Sequence, residues 1–194
     1  MSNLTVATFR TWKPAPTDPP DAVIQAAINA AEDAINNDCG RVFALAGTTA
    51  TDRSFRPLSR ASSVLFIHDC TEITSVAEYG STLATTQWQA EPINGLDLGG
   101  STVPYQSIRR YGNVWRWDSD FGRIVVTAKW GWAALPTPYT EAVKILTSDI
   151  LDQRALQNGV IGFAEYAGVR VKANPMVSML LAGLRRSENT LGIA

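Results

Sequence analysis

Residues 123–154 read RIVVTAKWGWAALPTPYTEAVKILTSDILDQR, and a strand, a break and a helix start follow one another along them. From Ile124 to Trp130 the side chains alternate, with Ile124, Val126, Ala128 and Trp130 on one face and Val125, Thr127 and Lys129 on the other. That is the period of a half-buried strand. Gly131 interrupts it. After Leu135-Pro136, Thr137 and Pro138 stand as an N-cap hydroxyl and a proline at the first helical position, where a missing N–H and a fixed φ do no harm. Tyr139, Ala142, Val143, Leu146 and Ile150 then recur at helical spacing, an apolar stripe that another element must cover.

Working outward, a helix is predicted over 19–40. It starts at Asp18 or Pro19-Pro20, carries its apolar face on Val23, Ile24, Ala27, Ile28, Ala31, Ala34 and Ile35, and ends at Gly40. Residues 1–18 contain Pro14 and Pro16 and little apolar period, and read as an extended arm. Between 51 and 132 short β-rich runs alternate with turn residues: Ser54 to Leu58, Val64 to Ile67, Ile73 to Tyr79, Trp88 to Glu91, Ser107 to Arg110 and Arg123 to Trp130. An antiparallel sheet region follows from them. NGLDLGGSTV, residues 94–103, is longer than a hairpin requires and reads as an interaction loop. The helix of the opening stretch runs over 137–155, and Asn174-Pro175 starts a last one over 174–186, with Val177, Leu180, Leu181 and Leu184 on its face and Arg185 and Arg186 in its final turn. Residues 187–194 form a tail, and Phe163 to Lys172 receives no assignment. The fold class is α+β within a single domain: a helical core of two longer helices plus a C-terminal helix, with a large antiparallel β-rich insertion between the first and second helices.

With 194 residues the chain is long enough for one substantial core. Its 17 basic and 18 acidic side chains leave a net charge of -1, which argues against a coat on nucleic acid or on an anionic membrane. Cys39 and Cys70 make no disulfide framework and read as buried free thiols. No apolar run approaches the ~18 residues of a membrane span, and the N-terminal stretch lacks a signal-peptide pattern, so synthesis in the cytoplasm is expected.

The search for chemistry is short. His68 is the sole histidine, so paired histidines and multi-histidine zinc sites are excluded. Its neighbours Asp69 and Cys70 do not converge with it as a triad must, and it reads as a strand-end residue. Leu98 to Thr102 lacks the spacing of a phosphate loop and reads as a turn. In RRYGNVWRWDSDFGR, residues 109–123, arginines and aromatics interleave as on single-strand-binding surfaces. Trp115 and Trp117 share one face, and the core reading is preferred because large aromatics are highly buried on average. Asp118, Asp120 and Glu91 lack the further oxygen ligands of a calcium loop. No cofactor, metal or catalytic residue is expected.

The order of parts resembles the head-to-tail adaptor (head-tail connector) proteins of long-tailed bacteriophages. The likeness rests on an alanine-rich first helix ending in Cys39-Gly40-Arg41 and Phe43, the run Ile73 to Tyr79, the strand Val125 to Trp132 with Leu135-Pro136 and Pro138, a long helix and a short final one. It spans roughly residues 20 to 186. The resemblance implies a structural subunit of the virion neck, not an enzyme, in a ring of about a dozen copies under the portal, whose contacts join unlike surfaces of neighbours. It further implies that the portal, neighbouring copies and the next connector or tail-terminator ring are the partners, and that DNA passes the channel without specific binding. It places portal docking in the C-terminal part, at Leu180, Leu184, Arg185 and Arg186. The alternative is a carbohydrate- or surface-binding β module of a phage particle, with Trp115, Trp117, Trp130 and Trp132 as a stacking platform; an uncharacterised enzyme is a third reading.

Overall fold

The computed structural model describes residues 3–14, 19–59, 61–96, 100–116, 124–157 and 174–186. Packing divides the chain, read above as one domain, into two compact units. One joins the N-terminal residues through Val42 to Leu135–Arg186 and is helical; the other, centred on Phe43–Ala134, is a sheet.

In the helical unit the expected extended arm is corrected, because it contains a helix, α1 (Val6–Trp12). Thr5 caps it by accepting the Thr8 N–H at 3.1 Å. Seven residues do not hold a helix by propensity alone, and burial of Leu4 and Phe9 supplies the difference. α2 (Asp21–Cys39) ends where Gly40 turns left-handed at φ 63° and the Arg41 N–H returns to the Asn36 carbonyl. Its alanines allow close approach on several sides, and after the exposed Asp21 and Ala22 of the first turn only a narrow polar line through Asn29, Asp33 and Asn37 is exposed. α3 (Thr137–Gln157) packs on α2. Its stripe of Tyr139, Ala142, Val143, Leu146 and Ile150 is buried, as the spacing requires. α4 (Pro175–Leu181) begins as anticipated: the Asn174 side chain accepts the N–H groups of Met176 and Val177 and donates to Asp149 of α3 at 2.8 Å. It is shorter than 174–186, because the chain turns after Leu181, with the Leu184 N–H on the Leu181 carbonyl.

The strands of the sheet unit all pair antiparallel. Its strands are β1 (Thr51–Phe55), β2 (Val64–Glu78), β3 (Ser81–Thr82), β4 (Trp88–Glu91), β5 (Tyr105–Arg110) and β6 (Ile124–Trp130). They lie in the order β1-β6-β2-β5-β4, with β3 on β2. The two runs expected as separate strands, Val64 to Ile67 and Ile73 to Tyr79, are one strand. Register shifts bend β2 so that its first half pairs with β5 and its second half with β6. Tyr79 and Gly80, both at positive φ, close the tight turn to β3. Leu65, Ile67, Val76, Ile108, Trp115, Ile124, Val126 and Ala128 form a buried apolar cluster. Trp115 is therefore core, whereas Trp117, Asp118, Asp120, the segment 163–172 and the tail 187–194 lie outside the described residues.

This corrects the expected helical core with a β insertion. The chain is α+β, but the architecture is centred on a six-stranded sheet with a core of its own, and four α-helices stand among the described residues. The physical reason is the 15-residue β2, which pairs along its length with two different strands and so gathers the β-rich runs into one self-supporting assembly.

Candidate interaction surfaces

The residues expected to dock the portal sit on the helical unit. Leu180, Leu184, Arg185 and Arg186 are all half-buried. Arg185 donates to Asp38 at 2.8 Å and to Ser178 at 3.4 Å. The Arg186 backbone N–H reaches the Cys39 carbonyl at 3.0 Å, and Arg41 donates to the Leu184 carbonyl at 3.2 Å. The turn after α4 is thus fastened to the last turn of α2, and Arg185 has its counter-charge within the chain. The apolar groups that α4 presents outward are Met176 and Met179, 52% and 66% exposed. Helical spacing alone did not separate these from Leu180, because the rotation of a short helix is set by what it packs against.

On the sheet unit, a cluster missed by sequence reading joins Arg53 and Phe55 of β1, His68 of β2 and Trp130 of β6. The Arg53 guanidinium lies over the Trp130 ring at 4.6 Å, and its Nη1 is 3.0 Å from His68 Nδ1. Arginine can only donate, so Nδ1 is the acceptor. The Phe55 ring meets the His68 ring edge-on at 5.3 Å, and Trp130 Nε1 donates to the Thr51 carbonyl at 2.8 Å. His68 is exposed and lies within a long strand rather than at its end. Its sequence neighbours do not join it: Asp69 and Cys70 are buried, and burial pushes the Cys70 thiol up to about 12, which keeps it protonated and poorly nucleophilic. The only sequence cue to this cluster was the Arg53–Phe55 alternation, which cannot reveal the pairing that brings Trp130 and His68 to it.

The third surface is the loop between β4 and β5. Gly95 donates to the Pro92 carbonyl at 3.0 Å and accepts from the Val103 N–H at 2.8 Å, and Leu96 bridges Thr102. These bonds hold Ile93, 61% exposed, and Leu96, 43% exposed, at the surface. Glu91 is not poised for a cation, because Arg109 donates to it at 2.6 Å. Among the described residues no group of three or more His, Cys, Asp or Glu side chains is placed to hold a metal ion, and no helix is long and apolar enough to cross a membrane. Trp115 and Trp132 are 0% and 3% exposed, so neither belongs to a stacking platform.

No protein-family model and no curated protein sequence matches the chain. Solved structures do. A chain from the neck of a native gene transfer agent (GTA) particle computed with C12 symmetry superposes with a TM-score of 0.57 and 17% identity, over 94% of this chain and 88% of that one. A chain from the neck of an empty GTA particle computed with C6 symmetry, and one from the virion of the native particle, each give 0.57 and 18% identity over 95% and 90%. The protein shares its fold, nearly end to end, with chains from the neck and virion of a gene transfer agent particle.

Proposed function

We propose that the protein is a structural, non-catalytic subunit of the neck of a phage-like particle, forming a ring under the portal that extends the DNA channel and joins head to tail. The observation that carries the reading is the fold shared over 94% or more of the chain with neck chains of a particle computed with C12 and C6 symmetry. A ring of like subunits needs two unlike surfaces on each copy. The exposed methionines of α4, the apolar loop between β4 and β5 and the Arg53–Trp130 cluster supply separate patches for that purpose. The balanced charge suits a channel wall past which DNA slides without being gripped.

Electron microscopy of the purified protein, alone and mixed with portal rings, tests the proposal. The expected result is a ring, or a monomer that becomes one on the portal. A chain that forms no ring in either condition, or that binds one duplex sequence tightly in an anisotropy titration at physiological salt, overturns it.

A further inference from the structure

The described arginines of the sheet unit fall into two groups. Arg109 and Arg110 hold carboxylates of their own chain, Glu91 and Glu78, at 2.6 and 2.9 Å. Arg53, Arg56 and Arg116 hold none among the described residues. Of these three only Arg53 is fixed from two sides. Its guanidinium lies 4.6 Å over the Trp130 ring, and its Nη1 donates to His68 Nδ1 at 3.0 Å. Phe55 braces both of those rings, with centroids 5.3 Å from His68 and 5.5 Å from Trp130. An arginine carries five N–H donors, and here the acceptor is a neutral imidazole, so the positive charge has no counter-charge. Arg53 is exposed, and β1 is an edge strand of the sheet. The remaining donors can therefore be approached from outside, and a carboxylate that lands on them orders a side chain already held in place.

The helical unit shows the opposite surplus. Among its described residues Asp21, Glu32, Asp38, Glu141, Asp149 and Asp152 each have a hydrogen-bond or ion-pair partner. Asp33 has neither. It is exposed midway along the polar line of α2, between Asn29 and Asn37, each one turn or about 6 Å away along the axis. It is the single charge on that line, and the groups beside it are neutral carboxamides.

Resting on the connector reading, we propose that these two groups meet across the contact between neighbours in the ring: Asp33 of one copy occupies the Arg53 guanidinium of the next. The occupant is a second copy of this chain. Two carboxylate oxygens suit the planar fork of a guanidinium, and the pairing joins unlike surfaces, as a closed ring of like copies requires.

Charge reversal tests the pairing without a double mutant. Arg53→Glu sets two carboxylates against each other at every contact, and Asp33→Arg sets two guanidiniums. Each variant alone is expected to form rings on the portal at about a tenth of the parent's yield or less, with circular dichroism unchanged. In an equal mixture of the two, alternating copies place opposite charges at every contact, so the ring yield seen by electron microscopy is expected to return towards that of the parent. A pairing within one chain gives no such recovery. Should a reversal disturb folding, Arg53→Gln and Asp33→Asn replace it, and each is expected to lower the yield. Folded variants that assemble like the parent, or a mixture no better than its components, overturn the pairing and leave the connector reading standing. A parent chain that forms no ring removes the connector reading, and the pairing with it.

Discussion

A Cβ built on Gly131 would lie 2.6 Å from the backbone carbonyl oxygen of Ala44. The glycine that ends β6 is there because the segment after Phe43 runs directly across it. The Trp132 N–H donates to the Ala44 carbonyl at 2.8 Å, the Ala46 N–H donates to the Trp132 carbonyl at 2.9 Å, and the Phe43 and Trp132 rings stack at 5.3 Å. Gly131 also sits at φ 118°, so both space and backbone conformation exclude a side chain. Gly131→Ala is expected to destabilise the sheet unit by about 2–4 kcal/mol, through clash and strain together. Gly40→Ala, at φ 63° with nothing within 4 Å of the new Cβ, is expected to cost only about 1 kcal/mol. Urea unfolding of the two variants makes the comparison; equal midpoints would show that the crossing at Ala44 yields freely.

Leu146 is fully buried on the face of α3 within the helical unit. Leu146→Ala removes that packing and leaves a cavity, with an expected loss of about 2–5 kcal/mol. Met179→Ala, at a position 66% exposed, is expected to stay within about 0.5 kcal/mol of the parent. Thermal and denaturant melts followed by circular dichroism check both.

Glu78 and Arg110 form an ion pair at 2.9 Å in which neither side chain is more than 10% exposed. Glu78 also accepts the Arg116 N–H at 2.8 Å, and the Arg110 guanidinium lies 5.3 Å from the Trp115 ring centroid. Removing one partner strands a buried charge, so Arg110→Met alone is expected to cost about 3–5 kcal/mol. Adding Glu78→Gln is expected to recover part of that loss. A double-mutant cycle on unfolding free energies reads the coupling, and additive effects would count against it.

Burial raises both thiols, Cys39 from 9.0 to about 11 and Cys70 from 9.0 to about 12. Between those limits the folded chain keeps protons that the unfolded chain has released. The stabilisation is fully present below pH 9 and declines as pH rises through that window. A Cys39→Ala and Cys70→Ala double variant is therefore expected to lose less stability than the parent between pH 9 and 11. In the native parent neither thiol is expected to react with Ellman's reagent at pH 8 until the chain unfolds.

What the chain's own order determined is local. The stripe from Tyr139 to Ile150, the Asn174 cap, the Gly40 stop and the alternation from Ile124 to Ala128 each depend on groups within about a turn or a pleat of one another. They stand in the structure as the residues dictate. What tertiary structure decided involves partners far away in sequence. A seven-residue α1 exists because Phe9 is buried and Glu32 receives the chain ahead of it. Two strand runs become one because β5 and β6 pair with successive halves of it. Arg185 meets Asp38 across 147 residues, and His68 finds Arg53 and Trp130 only once three strands are in register. Propensity and capping act over a few residues, whereas strand pairing, the rotation of a short helix and the choice of counter-charge are settled by whichever distant surface removes the most apolar area from water.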